Sequence, residues 1–294
     1  MTHILLWDNI PGGDEMTVAV VGGDRRLTVA GQVLSEHGHR VVYCMADGVP
    51  EGAEVCGAPD GLPSAEILLL PVPLSRGGAL FCPAVGRPVP LSAAEALLPR
   101  SDVCFCGGAP DGFVRAARQA GCRLTDLLCD DAFLWENAHL TAEAAVGLAL
   151  RECDACLCGT AVAVVGYGRI ARLLTRLLCA VGARVTVFAR KAADRAEARL
   201  CGACAAWPTD RLQTGALDGM SVVFNTAPAP LLDETATAYL APAALIVDLA
   251  SGGFITLPPK DPPRLLPAPG LPGKWFPQSA GRVVAEAVMR LSAT

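Results

Sequence analysis

Ala161-Val162-Ala163-Val164-Val165-Gly166-Tyr167-Gly168-Arg169-Ile170-Ala171 is the stretch that decides the fold. Its five leading apolar residues read as a strand buried on both faces, and the glycines end that strand in a turn. An amphipathic helix is expected over 170–181, a turn at Gly182-Ala183, and a second strand over 184–189. Strand, glycine turn, helix and strand in this order form the dinucleotide-binding unit of a Rossmann domain. Gly166 permits the tight turn, Gly168 lets the backbone approach a pyrophosphate, and Ala171 allows close helix–strand packing. Around Tyr167, Arg169 and Ile170 the helix N-terminus offers N–H donors and a favourable dipole to the phosphates.

The end of the second strand selects the nicotinamide cofactor. NAD sites usually place an acid there for the ribose hydroxyls, whereas this chain has Phe188-Ala189-Arg190-Lys191 and no acid before Asp194. A guanidinium can grip a 2′-phosphate with two parallel hydrogen bonds, so Arg190, assisted by Lys191, predicts NADP(H). Ligands of open parallel sheets bind at the carboxyl ends of strands. That places Asn225, Thr226 and Ala227, and then Asp248 and Ala250, beside the same cofactor.

Outward from this unit the chain alternates short apolar strands with helices. In the first half, strands are expected at 17–21, 40–44, 67–72, 103–106 and 123–128, and helices at 25–37 and 112–120. Residues 47–64 and 73–95, rich in Gly and Pro, read as loops. A helix over 140–153, with Thr141 as its N-cap, links the halves. Later strands fall at 221–225, 245–249 and 264–266. The fold class is α/β, with two doubly wound parallel-sheet domains and a cleft between them. The expected boundaries are a flavodoxin-like substrate domain at 1–138, a connecting helix at 139–158, and the Rossmann domain at 159–276. A terminal helix at 277–294 is expected to pack back on the first domain.

Composition limits the function. The 294 residues are 52% hydrophobic and 18% charged, with a net charge of −5, which disfavours nucleic-acid binding. No export signal or membrane-length apolar run is visible, so a soluble cytoplasmic protein is expected. The 13 cysteines mostly stand where Ala or Val would serve and read as reduced, buried small hydrophobes. Cys153-x-x-Cys156 and Cys201-x-x-Cys204 lack a flanking His, and no metal site is expected.

Several segments, in order along nearly the whole chain, resemble the dipicolinate synthase A-subunit family. They are Val20-Val21-Gly22-Gly23-Asp24-x-Arg26, Asn137-x-x-x-Thr141-x-Glu143, the glycine loop with Ala189-Arg190, and Asn225-Thr226-x-Pro228. Asp248-Leu249-Ala250-Ser251, Ala268-Pro269-Gly270-Leu271-Pro272-Gly273 and Pro277-x-x-Ala280-Gly281 complete the set. The resemblance implies NADP-linked oxidation of a dihydrodipicolinate-level precursor to pyridine-2,6-dicarboxylate. It also implies a small flavoprotein-like partner, the B subunit, beside a homo-oligomer.

A dicarboxylate substrate needs cationic or N–H partners. Arg26 is the preferred ligand, with Arg25 or Lys274 as alternatives. The amides around Gly270 and the helix starting near Ser279 form a second candidate anion site. Asn137 and Thr141 are further candidates, able to hold a water. The catalytic base is not readable: Glu143, Asp248 and His139 are the candidates, while His37 and His39 look like turn residues and His3 lies in the tail. Two rival functions stay open, a two-domain hydroxy- or amino-acid dehydrogenase and a non-catalytic NADP-binding regulatory subunit.

Overall fold

The computed structural model describes residues 15–292 apart from Ser251, so His3 and Ser251 lie outside the described residues. The chain divides into two compact units. One runs to Leu134 and resumes at Pro277; the other spans Trp135–Phe276.

The first unit begins β1 (Thr17–Val21), α1 (Arg25–Glu36), β2 (Arg40–Cys44), β3 (Glu54–Cys56) and β4 (Ala65–Leu69). A small antiparallel sheet follows, made of β5 (Ser75–Arg76), β6 (Ala79–Leu80) and β7 (Val89–Pro90). Then come α2 (Ser92–Glu95), β8 (Ser101–Cys106), α3 (Asp111–Ala120), β9 (Arg123–Asp126) and the start of α4 (Asp131–Glu152). The main sheet has the order β3-β2-β1-β4-β8-β9, all parallel. Its strands β2-β1-β4-β8-β9 follow the flavodoxin order, and β3 extends that sheet by one edge strand.

Side chains alternate between the two faces of a strand. Val18 and Val20 therefore join Leu27, Leu34, Phe105 and Val284 on one face, while Ala19 and Val21 join Leu68, Cys104 and Phe113 on the other.

The second unit contains the rest of α4, then β10 (Ala161–Val165), α5 (Arg169–Ala180), β11 (Arg184–Phe188), α6 (Ala192–Leu200), β12 (Ala205–Trp207), β13 (Val222–Asn225), α7 (Glu234–Thr237), β14 (Leu245–Asp248), β15 (Arg264–Pro267) and α8 (Leu271–Trp275). α9 (Pro277–Ser292) belongs to the first unit. The sheet order is β12-β11-β10-β13-β14-β15, again all parallel. Counting strands within each sheet, both units have the order 3-2-1-4-5-6. Both expected doubly wound parallel sheets are present.

Two glycines mark where elements approach closely. A Cβ at Gly281 of α9 would lie 2.5 Å from Val29 Cβ and 2.6 Å from the Arg26 carbonyl oxygen, so α9 can press on α1 only because it has no side chain there. A Cβ at Gly147 of α4 would lie 2.9 Å from the Trp275 ring.

Several expectations are corrected. Residues 47–64 contain β3, held at the sheet edge by a bidentate Arg40–Glu54 pair at 3.0 and 2.6 Å. Residues 73–95 contain the small antiparallel sheet and not only loop. α4 starts at Asp131, where the Asp130 carboxylate accepts the Phe133 N–H at 2.8 Å. Thr141 is consequently not an N-cap. It lies inside α4, with its hydroxyl donating to the Asn137 carbonyl at 2.8 Å. The helix also stops at Glu152, short of 158.

Five cysteines (Cys44, Cys82, Cys104, Cys106 and Cys122) are buried, but Cys129, Cys156, Cys158 and Cys204 are exposed, against the expectation of mostly buried thiols. Burial pushes the Cys44 and Cys122 thiols up to about 11, which keeps them protonated. Among the described residues no helix is long and apolar enough to cross a membrane.

Candidate functional site: a glycine-loop cavity in the second unit

The site grows from the end of β10. Gly166 has φ +97°, a conformation side chains rarely adopt, and a Cβ there would lie 2.5 Å from Thr226 Oγ1. The turn is held from below by the Thr226 N–H and hydroxyl, both donating to the Val165 carbonyl at 2.9 Å.

Gly168 is the N-cap residue of α5, and among the described residues no side chain caps that helix. A Cβ at Gly168 would meet nothing within 4 Å. A helix start of this kind, uncapped and facing open space, is a cradle for an anion. Ala171 is fully buried behind it, where it lets α5 lie close on the sheet.

In front of the turn is a cavity of about 490 Å³. Its walls are Gly166, Tyr167 and Gly168 from the loop, Ala189, Arg190, Lys191 and Asp194 beyond β11, and Thr209 beyond β12. Thr226, Ala227, Pro228, Ala229 and Leu231 close the far side. Arg190 and Lys191 are exposed, so their cations are available to a ligand. Their backbone is fixed by Arg195, whose Nη1 donates to the Ala189 and Arg190 carbonyls at 2.9 and 2.8 Å. This donor set fits a phosphorylated dinucleotide: uncapped helix amides for the pyrophosphate and two exposed cations for a further phosphate.

The structure brings together seven of the residues expected from sequence: Gly166, Tyr167, Gly168, Arg190, Lys191, Thr226 and Ala227. Arg169 and Ile170 follow in the first turn of α5, with the Arg169 guanidinium 5.9 Å from the Trp135 ring centre. Asn225 and Asp248 sit behind this wall and not on it. They are paired across β13 and β14, are 1% and 6% exposed, and are joined by Asn225 Nδ2 donating to Asp248 Oδ1 at 2.9 Å. Each also holds the backbone that follows it: Asn225 Oδ1 accepts the Ala227 N–H, and Asp248 Oδ1 the Ala250 N–H, both at 3.2 Å. They shape the loops at the strand ends.

Tyr167 borders the cavity but is only 7% exposed, and its hydroxyl is enclosed. Burial first, and then the neighbouring Cys201 thiol, push its pKa up. Sequence reasoning missed the group that packs on it. Arg172 of α5 lies 5.3 Å from the Tyr167 ring centre and donates to the Tyr167 carbonyl at 3.4 Å. It also pairs with Asp194 at 3.2 Å and Glu197 at 2.9 Å, both on α6. In the sequence Asp194 stands out only as the first acid beyond β11. Its partner, 22 residues earlier, leaves no signal there.

The residues singled out for substrate and proton transfer are distributed over both units. In the first unit, Arg26 is 6% exposed and grips Asp24 through Nε and Nη2 at 2.8 and 2.9 Å. Ser279 is exposed in the first turn of α9. In the second unit, Asn137 and Thr141 are one helical turn apart on α4, and Gly270 starts the short α8 with φ +68°. His139 and Glu143, also on α4, are exposed and 3.8 Å apart. Lys274 is exposed on α8, as is Arg25 on α1. Among the described residues no group of three or more His, Cys, Asp or Glu side chains is arranged to hold a metal ion.

Known proteins are similar to this chain in sequence and in overall fold. Residues 17–128 match the family model of the N-terminal domain of the dipicolinate synthase A subunit. Over 288 residues the chain is 30% identical to the dipicolinate synthase A subunit of Bacillus subtilis (strain 168), covering 95% of this chain and 96% of that protein. A crystal structure of the Bacillus subtilis A subunit superposes with a TM-score of 0.80 at 29% identity, covering 97% of each chain. That of the Bacillus halodurans A subunit gives 0.81 at 24% identity, covering 95% of this chain and 98% of that one. A transhydrogenase from Sinorhizobium meliloti shares the fold, with a TM-score of 0.66 at 16% identity over 94% of this chain and 93% of its own.

Proposed function

The chain belongs to the dipicolinate synthase A-subunit family, and on that premise we propose that it is the NADP-dependent oxidoreductase subunit forming pyridine-2,6-dicarboxylate from a dihydrodipicolinate precursor. The overall change removes two hydrogens from the ring, one with its electron pair and the other as a proton. The bound nicotinamide supplies the acceptor for the electron pair. The gain of aromaticity favours the forward direction, so the protein's task is chiefly to bind and orient.

This chain's residues divide that task. Gly166 and Gly168 with the uncapped start of α5 receive the pyrophosphate. Arg190, with Lys191 beside it, holds the 2′-phosphate. Thr226 and Ala227 border the cavity on the β13 side, kept in place by Asn225 and Asp248. The B. subtilis relative is named as one subunit of a synthase. We extend that to a flavoprotein-like B-type partner and cytoplasmic action for this chain.

The carrying observation is the pairing of an uncapped glycine cradle with Arg190 and Lys191 around one cavity, in a chain 30% identical to the Bacillus subtilis A subunit over 95% of its length. The test supplies the purified chain with the precursor, and in parallel with hydroxy and amino acids, together with NADP⁺ or NAD⁺, with and without the B-type subunit. Pyridine-dicarboxylate absorbance and NADPH appearing together, with NADP⁺ preferred, is the expected result. Turnover only of hydroxy or amino acids, or binding without any turnover, would overturn it in favour of a dehydrogenase or a regulatory subunit.

A further inference from the structure

Asp194 presents a difficulty for any second phosphate bound beside Arg190. It borders the same cavity, and its side chain is 22% exposed. A carboxylate there repels a 2′-phosphate carrying up to two negative charges. At a partly exposed site a single unscreened carboxylate of this kind weakens such a ligand by on the order of tenfold. The structure holds an answer in Arg172. Its guanidinium reaches from α5 to Asp194 Oδ1 at 3.2 Å and to Glu197 at 2.9 Å, so one cation faces both acids of α6. The same side chain donates to the Tyr167 carbonyl and covers the Tyr167 ring, which fixes it to the glycine loop.

We propose that Arg172 is a specificity-determining positioning residue: it draws the Asp194 carboxylate onto itself and so lets the Arg190 side of the cavity accept a 2′-phosphate. It acts on the choice between the two dinucleotides through Asp194. With Arg172 removed, Asp194 is released to do what an acid after the second strand usually does, accepting hydrogen bonds from unphosphorylated ribose. The Arg172–Asp194 pair is thus a selector between the two cofactors, biased toward the phosphorylated one. It rests on the NADP assignment made above, but its test does not depend on which cofactor the unaltered chain prefers.

The measurement is the ratio of NADP⁺ to NAD⁺ dissociation constants, taken by calorimetry on the full-length chain, for the unaltered protein, Arg172→Met, Asp194→Asn and the double variant. Arg172→Met should shift the ratio toward NAD⁺ by about tenfold. Asp194→Asn should shift it modestly the other way, and the double variant should return to the unaltered ratio or beyond it. That rescue separates the proposal from a merely structural role, since loss of the Tyr167 contacts by Arg172→Met persists in the double variant. Thermal melting of each variant checks that it is folded. If Arg172→Met is too unstable to assay, Asp194→Asn alone must still move the ratio toward NADP⁺.

A ratio unmoved by Arg172→Met, or moved but not restored by the second substitution, overturns the inference whichever cofactor is preferred. An unaltered protein that prefers NAD⁺ overturns the NADP assignment instead.

Discussion

The two units open with the same device and use it differently. Each has a strand at the centre of a six-stranded parallel sheet, a glycine turn, and a twelve-residue helix: β1 to α1 in the first, β10 to α5 in the second. In the first unit the turn is filled by the protein itself. Gly23 N–H donates to the Phe81 carbonyl at 2.7 Å, and a Cβ at Gly22 would meet Cys82 Sγ at 2.5 Å. The helix start is occupied by the Asp24 carboxylate, which accepts the Arg26 N–H and binds the Arg26 guanidinium. In the second unit, among the described residues, no side chain caps the helix and none lies within 4 Å of where a Cβ on Gly168 would be. Parallel sheet topology therefore provides two equivalent places for an anion, and the cap at the helix start, with the groups that fill the turn, decides which one remains available.

Exchanging that feature has the largest expected effect. Gly168→Asp copies the first unit's arrangement into the second. The backbone at Gly168, φ −80° and ψ −168°, already suits a capping aspartate. NADP⁺ affinity measured by calorimetry should fall by at least about 100-fold, because a carboxylate takes the place of the pyrophosphate. Stability in urea should change by no more than about a few tenths of a kcal/mol.

The reverse substitution, Asp24→Ala, removes the cap of α1 and leaves the buried Arg26 guanidinium without its carboxylate. A loss of about 2 kcal/mol in urea unfolding is expected, with the NADP⁺ dissociation constant unchanged. A shift in NADP⁺ binding would show that the two helix starts are not independent.

Arg190→Ala tests the cation beside the open turn. NADP⁺ should bind about tenfold more weakly and NAD⁺ equally well. The NADP⁺ loss should shrink as salt is raised.

The smallest effect concerns the Asp130 carboxylate, which caps α4 and binds Arg290 at 2.6 Å. The hydrogen bond from Arg290 holds its pKa below the usual aspartate value, so folding gains stability from it above that value, near pH 4. The gain is lost as the pH falls through the lowered pKa. Asp130→Asn should therefore flatten the acid side of the stability profile by a fraction of a kcal/mol, about 0.5, after discounting for the exposure of Arg290.

Much of the fold was legible because it depends on neighbours in sequence. The apolar runs of β1, β2, β10, β11, β13 and β14 and the glycines after β1 and β10 announce themselves locally. β3 and β12, three residues each, did not, since each is a strand only by pairing with β2 or β11. The sheet β5-β6-β7 was hidden in a Gly- and Pro-rich stretch for the same reason. α4 begins nine residues before the expected Leu140, because its start is set by the Asp130 carboxylate accepting the Phe133 N–H and not by an apolar pattern. Within the site, the loop and Arg190 with Lys191 were legible as motif residues. Arg172 was not, since an arginine on a helix has no meaning until its carboxylate partners on α6 are known.

By itself, the sequence determined two α/β units and the position of the phosphate loop, because strand burial and left-handed glycine turns are imposed by short-range sterics and by apolar patterning. Only the tertiary structure decided that Asp24 fills one helix start while the other stays uncapped, that Asn225 and Asp248 support the cavity from behind, and that Arg172 holds Asp194. Those outcomes rest on hydrogen bonds and ion pairs whose geometry is set when the surrounding elements pack, in most cases between groups tens of residues apart.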